Sequence, residues 1–283
     1  MNEPLERQLT APFTEYREVS VTDPLRQGDI IEAVAAGASM WQRHLLVITA
    51  DCDLAFAKHQ GRVTCVPLLT TDEYLMEMQI PRLREKYSKK AIGLLCSLMP
   101  EGAPAVSETR LRAWCSEAEP NEIASSLGLS GRDAETVSAV LTSIRFLDSP
   151  AGSLKEAVDG LVEALLALPN AQKREKIVQQ IVNALKAPYA QPPGDALFLS
   201  AIAPRHDLGY FVYLRQLEQV LEPEIAIGPT RIFARYRRIS RLQDRYVHAL
   251  AQRFALVFMS IGLPVEYEEI RDLHSELLGE NFR

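Results

Sequence analysis

Residues 24–71 read PLRQGDIIEAVAAGASMWQRHLLVITADCDLAFAKHQGRVTCVPLLTT and contain three runs typical of β-strands. The runs cover 29–34, 44–49 and 62–68. Each is rich in apolar or β-branched residues, and turn-forming residues, with Gly37 in the first connection and Gly61 in the second, separate them. The stretch therefore predicts three strands that lie close together in one small sheet.

Between the second and third runs lies Asp51-Cys52-Asp53, the densest group of reactive side chains in the stretch. In an extended segment both carboxylates would point one way and the thiol the other. A metal site or a nucleophilic cysteine is one interpretation, with His44 or His59 as the local base. The other is a turn in which the carboxylates accept backbone amides and Cys52 is buried. Carboxylates beside a thiol raise its pKa, which favours the turn.

Composition limits the protein classes that the 283 residues fit. The net charge is −6, with 47% hydrophobic and 24% charged residues, so any contact with nucleic acid needs a local basic patch. The acidic N-terminus does not resemble a signal peptide, and no run reaches the roughly 18 to 20 apolar residues of a membrane span. The four cysteines form no CxxC pair, and no metal-ligand spacing is present. These features predict a soluble, cytoplasmic protein without a membrane segment, metal or cofactor.

The middle of the chain is helical in pattern. Apolar residues recur at spacings of three and four within 72–190, and Ser153 with Glu156 matches a capping box. Pro81 is predicted to interrupt a helix, and Pro188 to end one. Strand character returns at 196–202 and 208–214 and again over 231–236, and 216–228 is predicted as a short connector. A long helix is predicted over 242–262. We therefore expect an α+β fold in which a small β-barrel is split by a helical insertion and followed by a C-terminal helix. The predicted parts are a lead-in (1–23), a discontinuous barrel domain (24–71 and 191–283) and the helical insertion (72–190).

The strand sequences resemble those of the MazF/PemK toxin family. The similar segments are GDIIEAV from Gly28, the strand that begins at Arg43, and GRVTCVPLLTT from Gly61. They match the family's opening Gly-Asp strand, its strand that begins with arginine, and its strand that closes near Val-Pro and threonine. The resemblance implies that the barrel is SH3-like and that the helical insertion is an addition to it.

The resemblance also implies candidate catalytic residues. The family's toxins cleave single-stranded RNA without metal, using the arginine at the strand start and the threonine after Val-Pro; these roles fall on Arg43 and Thr70. His44 could move the proton of a ribose 2′-hydroxyl while the arginine stabilises the developing phosphorane charge. In the structural alternative Arg43 is solvated, His44 caps a strand and Thr70 caps the helix that starts at 71.

Three departures from the family pattern bear on activity. Arg43 is followed by His44 where the family has proline, and two residues rather than one separate Pro67 from Thr70. Asp51 and Asp53 stand in the loop that normally helps to bind RNA. Carboxylates there would repel phosphate. We therefore expect a non-enzymatic binding or regulatory component of a bacterial conflict system, toxin–antitoxin or phage defence, with a protein partner or as a homo-oligomer. The alternative is a metal-independent single-stranded RNA endonuclease.

A second candidate binding region lies near the C-terminus. Six arginines are concentrated there: Arg231, Arg235, Arg237, Arg238, Arg241 and Arg245. Aromatic residues such as Tyr236 and Tyr246 stand among them, a combination that suits single-stranded RNA. Ion pairs with the acidic segment 266–272, or an acidic protein partner, fit the same arginines equally well.

Overall fold

The computed structural model describes residues 14–99, 106–190, 194–228, 234–258, 270 and 273. Over these residues the chain is α+β: a curled, largely antiparallel sheet forms a half-barrel, and helices pack beside it. The α+β class predicted from the sequence is confirmed. The predicted domain boundaries stay a prediction.

One sheet contains strands from both halves of the chain. They are β1 (Tyr16–Arg17), β2 (Asp29–Ala33), β3 (His44–Val47), β4 (Arg62–Thr70), β5 (Ala196–Leu199), β6 (Tyr210–Tyr213), β7 (Glu218–Leu221), β8 (Ile225–Ala226) and β9 (Tyr236–Leu242). Their order is β1-β9-β2-β3-β4-β6-β5, with β7 also on β4 and β8 also on β9. Only the β8–β9 pair among these is parallel. Strands on either side of the helical stretch are thus neighbours in the sheet.

The curl of the sheet centres on β4. This strand is nine residues long, and successive parts of it pair with β7, β3 and β6. Because β7, β3 and β6 pair with different parts of β4, the sheet curls around this strand. Both faces of the sheet are covered: Ile30 packs in one apolar core with Leu46, and its neighbour Ile31 packs in another with Leu45.

The helices lie mainly between β4 and β5. They are α1 (Met40–Arg43), α2 (Asp51–Ala55), α3 (Thr71–Tyr74), α4 (Ile80–Ser97), α5 (Glu108–Glu117), α6 (Pro120–Ser126), α7 (Arg132–Asp148), α8 (Leu154–Ala167), α9 (Arg174–Ala190) and α10 (Asp244–Phe258). A π-helical segment, Leu75–Gln79, joins α3 to α4. None of the helices in the described residues is both long enough and apolar enough to cross a membrane.

The helices share a core with the sheet. Apolar residues of α4, α7, α8 and α9 form a cluster that also includes Leu69 of β4 and Phe211 of β6. The ring of Phe211 stacks on that of Tyr74, with centroids 4.1 Å apart and an angle of 18°. This aromatic contact fixes α3 and the helices after it against the sheet.

Several predicted boundaries differ from those of the structure. The helical backbone continues through Pro81, which stands in the first turn of α4 directly after the π-helical segment Leu75–Gln79, so the predicted interruption is wrong. Pro188, predicted to end a helix, lies inside α9. Segment 216–228, predicted as a connector, contains β7 and β8. Of the strand predicted over 231–236, residues 231–233 lie outside the described residues, and β9 begins at Tyr236.

Candidate functional site

Three neighbouring strands bring together the polar residues of the candidate site. In the β2–β3 pair Glu32 stands opposite His44, and in the β2–β9 pair it stands opposite Arg237. Residues directly opposite on adjacent strands have their side chains on one face of the sheet. Glu32 therefore lies between His44 and Arg237. Both arginine contacts go to Oε2 of Glu32, at 2.9 Å from Nε and 2.6 Å from Nη2.

The loop between β5 and β6 adds His206. The backbone N–H of His206 donates to the carbonyl of Ala203 at 3.0 Å, which closes a tight turn with Pro204 and Arg205 in the middle. Arg205 has φ of 65°, a left-handed conformation that is uncommon for a residue other than glycine. The turn fixes the histidine backbone, and Nε2 of His206 lies 3.3 Å from Oε1 of Glu32.

We call Glu32, His44 and His206 the histidine cluster. Nε2 of His44 lies 3.4 Å from the same Oε1, and the two imidazole rings meet edge to face with centroids 5.5 Å apart. The ring of Tyr210 also meets that of His44 edge to face, with centroids 5.7 Å apart. The side chains of Glu32 and His206 are 17% and 26% exposed, so the cluster opens to solvent on that side.

Burial and charge set the protonation of the cluster. Burial lowers the pKa of His44; the carboxylate of Glu32 partly offsets this, and the neighbouring His206 lowers it further. For Glu32, burial acts to raise the pKa, but hydrogen bonds from Arg237 and His206 outweigh it and the pKa is lowered. Near neutral pH the cluster therefore consists of a carboxylate and a neutral His44 beside the ring of His206.

The other two candidate catalytic residues meet at the carboxylate of Glu73. Nη1 of Arg43 donates to Oε1 at 2.7 Å, and the backbone N–H of Thr70 donates to Oε2 at 2.9 Å. The hydroxyl of Thr70 accepts the N–H of Glu73 at 3.4 Å, which completes a capping box at the start of α3. Thr70 thus caps the helix, as the structural alternative has it, while Arg43 is ion-paired and not merely solvated.

Asp51-Cys52-Asp53 forms the first turn of the short helix α2. Asp51 accepts the backbone N–H of Gln27 at 2.8 Å, as a turn would predict, but Cys52 is exposed and not buried. Consecutive side chains of a helix are about 100° apart, so Asp51, Cys52 and Asp53 point in three different directions. The direction of Cys52 is toward solvent. A surface cavity of about 410 Å³ lies beside it, lined by Arg26, Asp51, Cys52, Glu222 and apolar neighbours. The four cysteines are free thiols, and burial raises the pKa of Cys115 to about 11.

The arginines of the segment 231–245 differ in their burial and in their partners. The side chains of Arg238 and Arg241 are 2% and 4% exposed and bind the buried Asp29, so they cannot reach an outside ligand. Arg237 belongs to the site of Glu32. Arg235 and Arg245 are exposed and lie against the rings of Tyr236 and Tyr246. Arg231 lies outside the described residues.

Sequence reasoning identified His44 but missed Glu32 and His206. The residues Glu32 and His206 are 174 positions apart, and no local spacing signals that they meet. Comparisons of the chain with protein-family models, with curated proteins and with solved structures give no match. Any role for the cluster therefore rests on its own geometry.

Proposed function

We propose that the chain is a non-enzymatic binding or regulatory protein built on a MazF/PemK-like, SH3-like barrel. The proposal assigns it to the cytoplasm and to a bacterial conflict system, toxin–antitoxin or phage defence. The fold part is supported by the curled sheet, in which strands from both sides of the helices pair, and by α10, which follows the last strand. Both features are what the family resemblance implies.

The carboxylate of Glu73 carries the non-enzymatic part of the proposal. It holds Arg43 at 2.7 Å and the backbone of Thr70 at 2.9 Å, and these are the two residues that the resemblance would make catalytic. An arginine that is neutralised at contact distance offers less positive charge to a developing phosphorane. The hydroxyl of Thr70 is also committed to the helix cap. Both residues thus have structural partners.

The charge of α2 supports the same proposal. Asp51 and Asp53 stand in the first turn of this helix, shortly after β3 ends. Arg26 lies 3.8 Å from Oδ2 of Asp51, and together with the positive end of the helix it compensates part of this charge. One arginine does not balance two carboxylates, so an RNA backbone that followed this edge of the sheet would gain less than at a basic surface.

The proposal is tested by incubating the purified full chain with long single-stranded RNA, with and without EDTA. Three proteins are compared: the wild type, Arg43→Ala and Glu73→Gln. Glutamine keeps the capping geometry while removing the charge that neutralises Arg43, so this variant would reveal a masked nuclease. We expect intact RNA in all three reactions, measured as fragment length on a denaturing gel.

Cleavage without metal by the wild type, and its loss in Arg43→Ala, would overturn the non-enzymatic proposal. Cleavage by Glu73→Gln alone would support it, because the Glu73 carboxylate would then be what keeps the wild type inactive. The binding part is tested separately. The mass of the full chain from light scattering tells a homo-oligomer from a monomer, and cross-linking of tagged chain in its native host shows a protein partner. The same cross-linking experiment with tagged Arg43→Ala is the control, and this variant should bind the same partner. A monomer without a stoichiometric partner would contradict this part.

The second candidate is a metal-independent single-stranded RNA endonuclease that uses Arg43, His44 and Thr70. One observation favours it: Arg43 and Thr70 come within reach of a single carboxylate, and His44 follows Arg43 directly. In this candidate a neutral His44 takes the proton of the ribose 2′-hydroxyl, whose oxygen attacks phosphorus to form a 2′,3′-cyclic phosphate. The P–O5′ bond breaks, and the departing 5′-oxygen takes a proton from water to leave as a 5′-hydroxyl. The RNA assay above decides between the two, with His44→Gln added to test the base.

A further inference from the structure

We propose that the histidine cluster, Glu32, His44 and His206, is a binding site for a divalent transition-metal ion of the zinc class. Nε2 of each histidine and one carboxylate oxygen of Glu32 all lie within 4.8 Å of one another. Oε1 of Glu32 is 3.3 Å from one nitrogen and 3.4 Å from the other. Ligands at about 2.0–2.1 Å from a tetrahedral zinc ion stand about 3.3–3.4 Å apart. The two distances from the carboxylate oxygen match that arrangement, and the two nitrogens lie within 4.8 Å of each other.

The same distances are long for hydrogen bonds to a carboxylate. Charge-assisted N–H···O bonds are typically about 2.7–2.9 Å long. Arg237 meets this standard on the other oxygen of Glu32, at 2.6 and 2.9 Å, whereas the two histidine nitrogens do not approach so closely. The cluster therefore contains one long hydrogen bond, between His206 and Glu32, and none from His44.

The hydrogen-bond partner of His206 fixes which of its nitrogens can bind metal. Nδ1 lies 3.0 Å from the carbonyl oxygen of Pro204, and a carbonyl only accepts, so Nδ1 carries the hydrogen. In the neutral ring the lone pair is then on Nε2, which points at Oε1 of Glu32. Two electron-rich atoms that face each other at this distance need a proton or a cation between them. Metal-bound histidines commonly donate their other nitrogen to a carbonyl in this way.

His44 provides an independent observation. Its side chain is 7% exposed, and its Nε2 is buried without a hydrogen-bond partner, since the 3.4 Å approach to Glu32 does not have hydrogen-bond geometry. A buried polar nitrogen without a partner is costly, and native structures rarely leave one. A metal ion at the point where the three atoms converge would satisfy it.

The donor set selects the class of ion. Two imidazoles and one carboxylate suit zinc and its first-row neighbours, whereas calcium and magnesium prefer oxygen ligands throughout. Arg237 binds Oε2 and so orients the carboxylate with Oε1 turned to the histidines. Three protein ligands leave a coordination position free on the solvent side, where Glu32 and His206 are partly exposed.

The bound ion would tie the 203–206 turn to β2 and β3. The inference does not rest on the proposed function, because a protein with or without RNA cleavage could carry this site. It is tested on the full chain after chelator treatment, with Cys52→Ser and Cys96→Ser introduced to remove the exposed thiols as competing ligands. Zinc binding is measured by calorimetry, and Co²⁺ is used alone as a spectroscopic probe.

We expect one zinc ion per chain and a visible ligand-field spectrum for Co²⁺ with nitrogen and oxygen ligands. His206→Ala, in a solvent-facing turn, and Glu32→Gln should each weaken zinc binding by at least about tenfold. His248→Ala, an exposed histidine on α10, is the matched control and should bind like the parent. Circular dichroism checks that each variant is folded. Absence of one-to-one binding in the parent chain, or equal affinity in the parent and a folded His206→Ala, would overturn the proposal.

Discussion

Asp29, at the start of β2, is fully buried and is held by two arginines of β9. Nε and Nη2 of Arg241 donate to its two oxygens at 2.6 and 3.0 Å, and Nη1 of Arg238 lies 3.3 Å away. Both arginines also donate to the carbonyl of Pro24. Half of a buried ion pair cannot be removed without leaving an uncompensated charge in the interior. Two arginines of the segment predicted to bind a ligand thus hold β9 against β2 in the sheet.

We expect Asp29→Asn to lower the free energy of unfolding by about 3–5 kcal/mol, because both buried guanidinium groups lose their counter-charge. The measurement is urea denaturation followed by circular dichroism. Asp195→Asn is the control, since it removes an ion pair whose arginine, Arg215, is 59% exposed. A surface pair contributes about 1 kcal/mol or less. Equal losses in the two variants would contradict the assignment.

His59 makes stability depend on pH. Its Nδ1 lies 3.0 Å from the carbonyl of Asp53 and its Nε2 2.8 Å from Glu222, and these two contacts raise its pKa. The folded chain therefore binds this proton more tightly than the unfolded chain. The stabilisation is fully present below the ordinary histidine pKa of about 6.5, and it is lost as pH rises through the higher folded value.

We expect the difference in unfolding free energy between the wild type and His59→Gln to shrink as the pH is raised from about 6 to about 9. Comparison with this variant isolates His59 from other titrating groups, including His44, whose lowered pKa acts in the opposite direction. Urea denaturation at a series of pH values gives the difference directly. A difference that is constant over this range would rule out the His59 contribution.

At the level of elements, the change from β4 to α3 depends on one cap. Thr70 is both the last residue of the strand and the N-cap of the helix. Its hydroxyl accepts from Glu73, and the carboxylate of Glu73 accepts the Thr70 N–H in return. The cap sets the point at which the chain leaves the sheet and starts the helical region.

Thr70→Ala should destabilise the chain by about 1 kcal/mol, because alanine cannot accept the N–H at the start of the helix. Thr70→Ser keeps the hydroxyl and should remain close to the wild type. Thermal unfolding followed by circular dichroism gives the ranking. If serine cost as much as alanine, the loss would come from the methyl group of Thr70 and not from the cap.

How far the sequence predicts these elements depends on where each obtains its stability. Runs 29–34, 44–49 and 62–68 carry enough apolar and β-branched residues to predict β2, β3 and β4. Helices α7 and α8 follow from apolar spacings of three and four. By contrast, β7 and β8 are four and two residues long and depend on pairing with β4 and β9. Such strands obtain their stability from tertiary pairing, so local propensity does not reveal them.

The candidate site illustrates the same limit. Arg43 and Thr70 could be identified from the sequence because they stand in the motifs that carry the family resemblance. His44 could be identified because it directly follows Arg43. Glu32 becomes part of the site only through its register with His44, and His206 only through a turn in the second half of the chain. Strand register across a split sheet is a property of the whole fold. No spacing rule applied to neighbouring residues could have found this combination.

Across the whole molecule, one of the apolar cores contains residues of both the sheet and the helices. Phe211 of β6 stacks on Tyr74 of α3 and also contacts the rings of Phe198 and Tyr189. Leu69 of β4 and Ala196 of β5 belong to the same cluster as the buried residues of α7 and α8. A core that spans both parts couples their stabilities. The helical region is therefore expected to unfold together with the sheet.

The two tryptophans test this expectation. Trp41, in α1, lies 6.0 Å from the ring of Tyr213 in β6, while Trp114 lies in α5 of the helical region. Urea unfolding followed by fluorescence of Trp114→Phe and of Trp41→Phe reports on each part in turn. For each variant we expect the fluorescence transition to have the same urea midpoint as the circular dichroism transition. Separate midpoints would show that the helices and the sheet unfold independently.

The place of β4 in the sheet also governs how the chain folds during synthesis. Residues 68–70 of β4 pair with 210–212 of β6, so about 140 residues must be translated before this edge finds its neighbour. At roughly 5–20 residues per second, the wait is on the order of ten seconds. The local helices can form during that time, but the strand edge stays unpaired and open to wrong partners. A chaperone that shields nascent strands would therefore be expected to raise the yield of this protein more than that of a helical protein of equal length.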